Sequence, residues 1–300
     1  MCIRDRSPLT RAQLEGDAQR GWFSGPVVLR PQAEDRSMGV LSGVQGTWLR
    51  PLGGLWQPWD GPEALDQEGI HAFEYRSADH AGNAEPVRDL VVRLDWTPPV
   101  TVVSVDGEPA PDGWYRGPLG LRFEATDAAS GVGQVWVRAN EGTWMETAQV
   151  DIVVTGEHLF EYYAVDRAGN QEAVRSLELK VDVNPPSAAA ALPVLAGMAP
   201  FRLDVRAEDV GSGVRRVAFY VGHEVVPRHV DHDGSDGWSW VLEEPGVHRL
   251  RLQAVDGVGF EGWGEVHVLV LPRVPPLPLL LLPLGLGLSL GLRLAPRGRP

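Results

Sequence analysis

The chain holds one cysteine, Cys2, and one lysine, Lys180, and upstream of residue 273 no stretch repeats apolar residues at helical spacing between capping signals. Each scarcity excludes something. With Cys2 inside the opening hexapeptide MCIRDR, the remaining 294 residues hold no thiol for a disulfide, a Cys-ligated zinc or a nucleophile. Without amphipathic helical periods, helix content is expected to be minimal. Acidic residues outnumber basic ones by 40 to 27, a net charge of −13, so the chain lacks the basic footprint that binds a phosphate backbone, and nucleic acid is not expected as a partner. The sequence also lacks G-x-S-x-G, H-E-x-x-H, a P-loop and a dinucleotide fingerprint. No enzyme is expected, and no catalytic or cofactor-binding residue is assigned.

What is present is an ordinary globular composition, with 43% hydrophobic residues, 35 Gly and 25 Pro in 300 residues, enough for two or three domains. The first six residues, MCIRDR, look like a translated sequencing-adapter scar, so residues 1–19 are read as scar and N-terminal remnant. Residues 273–300 form an apolar tail with a basic end. Val274 to Leu292 runs 19 residues without a charge and is followed by Arg293, Arg297 and Arg299, the signature of a candidate membrane anchor with a cytoplasmic end. Its Pro and Gly content makes poor helix, and a frame-shifted read of GC-rich DNA is the competing origin.

Between these ends the chain repeats itself. Gly69-Ile70-His71-Ala72-Phe73-Glu74-Tyr75, Ala78-Asp79-His80-Ala81-Gly82-Asn83 and Asp95-Trp96-Thr97-Pro98-Pro99 return 87 residues later as Gly156 to Tyr162, Ala164 to Asn170 and Asp182 to Pro186. A weaker third copy holds Gly246-Val247-His248 and Ala254-Val255-Asp256-Gly257. Units also share Gly21 to Pro26 with Gly113 to Pro118, and Ser42-Gly43-Val44 with Ser130-Gly131-Val132 and Ser212-Gly213-Val214. A period near 90 is a domain length, giving domains at 20–97, 98–184 and, divergent, 185–272. Alternation of apolar and polar residues in Leu119 to Ala125 and Leu159 to Val165, with turn residues between, predicts half-buried strands and two packed antiparallel sheets per domain.

These motifs resemble bacterial Ig-like and fibronectin-type-III-like tandem surface repeats that carry A-x-D-x-A-G-N before D-x-T-P-P, the leptospiral OmpL-type repeat among them. The resemblance covers about residues 20 to 270 and is weaker in the third unit, where Gly257-Val258-Gly259 replaces Ala-Gly-Asn. It implies an all-β fold of three tandem Ig-like antiparallel β-sandwich domains, exported to the cell surface or outside the cell and without catalysis. A spacer or adhesion array contacting a surface protein or glycan is the leading expectation. The accessory C-terminal region of a larger secreted glycosidase or protease is the alternative.

Calcium is the sharpest candidate ligand, because it takes carboxylate and amide oxygens. In such a topology Asp127, Asp166 and Asn170 lie at the end of the domain where Asp95 enters, and Asp182, Asp209 and Asp256 are placed likewise one domain on. Turn-making is the commoner duty of Asp and Asn. His229 to Gly237 concentrates three carboxylates and two imidazoles but lacks the full calcium-loop pattern. Trp48 and Trp136 are expected in the core, Trp22 and Trp114 at domain edges, and Trp56 with Trp59 as an exposed sugar-stacking platform. His71, His158 and His248 recur at one strand position and read as structural. Thr97-Pro98-Pro99 and Asn184-Pro185-Pro186 are linkers restricted to extended backbone, which suits a spacer.

Overall fold

The computed structural model describes residues 6–35, 42–190, 194–234 and 237–273; the first five residues and the candidate anchor from residue 274 lie outside them. Among the described residues there is no α-helix, hence none long and apolar enough to cross a membrane.

The second sandwich shows how the pattern folds. In Leu119–Thr126 the alternation sends Leu119, Leu121 and Phe123 inward and leaves Arg122 and Glu124 exposed. This strand pairs antiparallel with Val100–Val105 on one side and Gln149–Ile152 on the other. The facing sheet runs Trp114–Arg116, Arg175–Asp182, Gly156–Asp166, Val132–Ala139, Met145–Glu146, with the first pair parallel. Between the sheets lie Phe123, Val137, Phe160, Tyr162, Leu179 and Val181, each full burial contributing about 1.5–3 kcal/mol. Three strands against five, with the final strand beside the first edge segment, is an immunoglobulin-like arrangement.

The other sandwiches repeat the plan. In the first, Leu9–Glu15, Val27–Glu34 and Glu63–Leu65 face a sheet ordered Ala18–Gln19, Trp22–Phe23, Arg88–Leu94, Gly69–Asp79, Val44–Pro51, Gln57–Pro58. Leu9–Glu15 pairs with Val27–Glu34 along its whole length, so this sandwich begins upstream of residue 20. In the third, Ser187–Ala190, Phe201–Glu208 and Trp238–Leu242 face Val194–Met198, Glu261–Leu271, Gly246–Asp256, Val214–Val221, His229–Asp231. Compactness divides the chain differently. One unit takes in the described residues through Ser187 together with Ala207–Val217 and Ala254–Gly262; the other takes Ala188–Arg206, Ala218–Gln253 and the described residues from Trp263.

Three tryptophan expectations are corrected. Trp48 and Trp136 are only half-buried, and the core positions beside them are Leu49 and Val137. A bulge explains this: the register shifts between Val44 and Gly46 and between Val132 and Gln134, and one extra residue inverts the faces of everything after it. Trp59 is buried, edge-on to Tyr75 at 6.0 Å, so no Trp56–Trp59 platform exists. Trp56 instead lies under Arg50 and Arg76, and Arg50 pairs with Glu74 across the strands at 2.6 Å. Trp144, Arg138 and Glu161 repeat that cluster in the second sandwich.

A buried glutamate fastens the first strand of each of these two sandwiches. Glu172 accepts hydrogen bonds from Thr101 N–H at 3.1 Å, the Thr101 hydroxyl and Ala164 N–H at 2.8 Å. Glu85 does the same for Thr10 N–H and Ser77 N–H. Two or more charge-assisted bonds satisfy each carboxylate away from water.

Candidate functional site: two buried aspartate triads

Strand parity delivers carboxylates to the interior. In Gly156–Asp166 the inward residues Phe160, Tyr162 and Ala164 are followed by Asp166; in Gly246–Asp256, Leu250, Leu252 and Ala254 are followed by Asp256. Asp79 ends Gly69–Asp79 in the same way. Asp95 and Asp182, at the ends of the last strands of the first and second sandwiches, are wholly buried.

Six of the sequence-selected aspartates form two groups, Asp95 with Asp127 and Asp166, and Asp182 with Asp209 and Asp256. Within each, one oxygen per carboxylate lies within 4.8 Å of the others. All six belong to the first compact unit. The seventh selected residue, Asn170, borders the first group.

Turn chemistry and clustering occur together. Asp127 Oδ1 accepts from Ala129 N–H at 3.2 Å and Gly131 N–H at 2.5 Å; Asp209 Oδ2 accepts from Gly211 N–H at 2.9 Å and Gly213 N–H at 2.7 Å. Gly131 and Gly213 have φ of +79° and +77°, which explains glycine after serine in this turn. Asp95 accepts from Thr97 N–H and Ser130 N–H, and Asp182 from Asn184 N–H, Thr155 Oγ1 and both the N–H and hydroxyl of Ser212. Ser130 and Ser212 therefore bind the preceding sandwich's terminal aspartate to the next sandwich's loop. In the sequence these serines stand only as repeat markers, and their fixed place before Gly-Val is the one signal of this role.

The groups differ in what compensates their charge. Asp166 Oδ1 accepts from Asn170 N–H at 2.8 Å and Oδ2 from Asn170 Nδ2 at 2.7 Å, while the same amide reaches the Asp95 carbonyl at 2.8 Å. Asp256 Oδ1 accepts from Val258 N–H at 3.0 Å and Phe260 N–H at 2.8 Å. Its Oδ2 is buried without a partner, as is Asp209 Oδ1. Burial first, and then the charges of Asp182 and Asp209, hold the Asp256 carboxyl above the usual carboxylate range against the bond from Phe260.

Three carboxylates this close suit a hard cation. Calcium binds oxygens at about 2.3–2.6 Å, so two of its ligands stand at most about 5 Å apart. The pairwise oxygen separations in both groups fall inside that limit.

The remaining candidates resolve into structure. His71, His158 and His248 each donate Nε2–H to the carbonyl four residues earlier, of Gln67, Val154 and Glu244, at 2.7–2.9 Å. His71 and His158 also stack on Phe73 and Phe160. In the His229 to Gly237 segment, His229 stacks on Trp240 and Asp231 accepts from Asp233 N–H and Ser239 N–H; Ser235 and Asp236 lie outside the described residues.

No protein-family model matches the chain, and no curated protein matches it. Among solved structures, it is similar to three N-terminal domains of the bacteriophage RB49 highly immunogenic outer capsid protein, at 9% identity over 89% of this chain and all of that one, TM-score 0.39. It is also similar to a structure of a 1.5-MDa bacterial ice-binding adhesin, at 14% identity over 90% of this chain and all of that one, TM-score 0.32. A fragment of mouse cadherin-23 matches at 14% identity over 90% of this chain and all of that one, TM-score 0.31. Likenesses at these values carry no functional argument.

Proposed function

We propose that the chain is a non-catalytic, calcium-binding array of Ig-like sandwiches that works outside the cell or at its surface, as a spacer or in adhesive contact with a surface protein or glycan. The observation that carries the calcium reading is the second triad, where Asp209 Oδ1 and Asp256 Oδ2 are buried without partners beside a third buried carboxylate. Leaving such oxygens unpaired costs roughly 1–3 kcal/mol each, and a bound cation removes that cost. Proline-restricted linkers, the acidic balance and the motif resemblance to bacterial surface repeats, the leptospiral type included, support the array reading. The apolar tail with its basic end is proposed as the membrane attachment.

Thermal melting of the full chain with calcium and with chelator tests the reading. A ligand held only by the native state raises the midpoint with saturation. Calcium is expected to raise it, with the rise lost in Asp256→Ala. An identical midpoint at millimolar calcium and in chelator overturns the calcium reading.

A further inference from the structure

The two triads share aspartates, spacing and turn hydrogen bonds, yet the residues around them do not match. Four residues after the strand-ending aspartate, the first loop has Asn170 and the second has Phe260. The Asn170 amide donates both to Asp166 Oδ2 and to the Asp95 backbone carbonyl, so it ties the Asp166 side chain to the end of the preceding sandwich. Phe260 supplies only its backbone N–H, and its ring lies under the Arg116 guanidinium. One residue after the aspartate, Arg167 stands beside Gly131, with Nη1 3.7 Å from where a side chain there would begin; the second loop has Gly257. The strand-ending aspartate of the first triad thus receives a side-chain amide, and Asp256 in the second receives backbone N–H groups.

The consequence appears at atom level. Both oxygens of Asp95 and of Asp166 accept hydrogen bonds. In the second triad Asp256, only 1% exposed, keeps Oδ2 without a partner, and Asp209 Oδ1 is buried in the same condition. The second loop also sits tighter: a Cβ on Gly211 would fall 2.4 Å from the Asp182 carboxylate carbon, where the matching residue of the first loop is Ala129.

Building on the calcium reading, we infer that the triads are not equivalent: Asp182, Asp209 and Asp256 form the calcium site, while in the Asp95 group the Asn170 amide occupies the cation's place. The residue four after the strand-ending aspartate is the selector. A carboxamide there takes up the second oxygen of the strand-ending aspartate; an aromatic there leaves that oxygen, Asp256 Oδ2, for a metal, beside the unpartnered Asp209 Oδ1.

Isothermal calorimetry of the full chain with calcium chloride tests this. The unaltered chain is expected to bind one calcium. Phe260→Asn should weaken that site at least tenfold, and Asn170→Ala should add a second site. Asp256→Asn covers the case in which Phe260→Asn, having lost the ring under Arg116, does not fold; it is expected to abolish binding, and retained binding places the cation elsewhere and overturns the inference. Two sites of similar affinity in the unaltered chain, undiminished binding by folded Phe260→Asn, or a single site in Asn170→Ala overturns the inequivalence and leaves the calcium reading standing. No heat of binding in the unaltered chain overturns the calcium reading itself, and with it this inference.

Discussion

The second and third sandwiches close the same loop with different residues: Asp166 to Glu172 reads D-R-A-G-N-Q-E, and Asp256 to Gly262 reads D-G-V-G-F-E-G. Their backbones agree closely. Asp166 N–H donates to the Asn170 carbonyl at 3.1 Å and Asp256 N–H to that of Phe260 at 3.2 Å, and each aspartate receives the return N–H at 2.8 Å. Turn geometry therefore depends on the aspartate and the spacing, while the side chains at the fourth and sixth following positions decide charge compensation and strand attachment. Glu172 holds Thr101 at the sixth position; Gly262 instead lets the Pro186 carbonyl approach to where a Cβ would lie.

The largest effect belongs to that sixth position. Glu172→Ala leaves two backbone N–H groups and a hydroxyl buried without their acceptor, which should cost about 3 kcal/mol or more in a urea unfolding experiment. Gly262→Ala puts a Cβ 1.6 Å from the Pro186 carbonyl oxygen and should destabilise comparably; a tolerated alanine would break the claim that close approach replaces the glutamate. Next, asparagine at the strand-ending position should act with opposite signs in calcium-free buffer. Asp166→Asn loses charge-assisted bonds and should destabilise by about 1–2 kcal/mol, whereas Asp256→Asn removes a charge disfavoured by burial and by the neighbouring Asp182 and Asp209 and should stabilise by about 1 kcal/mol. Matching signs would refute the contrast.

Acid titration followed by carboxyl carbon NMR should separate the repeats again. Burial pushes the Asp79 carboxyl up, but side-chain and backbone hydrogen bonds from Asn83 outweigh it and hold the group below the ordinary range. Its contribution to stability is complete above the unfolded value and is lost as pH falls through the lower folded value. Asp256 moves the other way: its folded value lies above the ordinary one, so the calcium-free protein loses that group's contribution as pH rises through the folded value. Smallest of all, His158→Ala and His248→Ala each remove one exposed bond to a carbonyl and should cost about 0.5–1 kcal/mol, the larger cost falling on His158, whose ring also stacks on Phe160.

Much of this was legible in the sequence because repetition and parity are linear properties. The all-β class, the sandwich repeats and the grouping of six aspartates follow from motif order and from which end of a sandwich each loop occupies. Tryptophan placement was not legible, since one bulge residue at Gly133 inverts the faces downstream and Trp136 then points away from the core. The difference between the triads was also hidden. Asn170 was visible as an oxygen donor to a metal, but its amide nitrogen turns out to face Asp166, and only three-dimensional placement shows which end of a carboxamide is used. Glu85 and Glu172 stand two residues after the Asn of the A-G-N motif, yet nothing in spacing alone reveals that they reach Thr10 and Thr101 far away in the chain.

The glutamate attachment also sets a load path. Thr101 is the second residue after Pro98-Pro99, so tension applied through that linker arrives first at Thr101. There it passes through the Glu172 carboxylate to Ala164, near the end of the Gly156–Asp166 strand. Force is thus handed directly across the sandwich to the central strand of the facing sheet instead of peeling the outer strand pair by pair. In a single-molecule pulling trace, the second sandwich should resist as one unit, and Glu172→Ala should convert that resistance into stepwise unzipping at lower force.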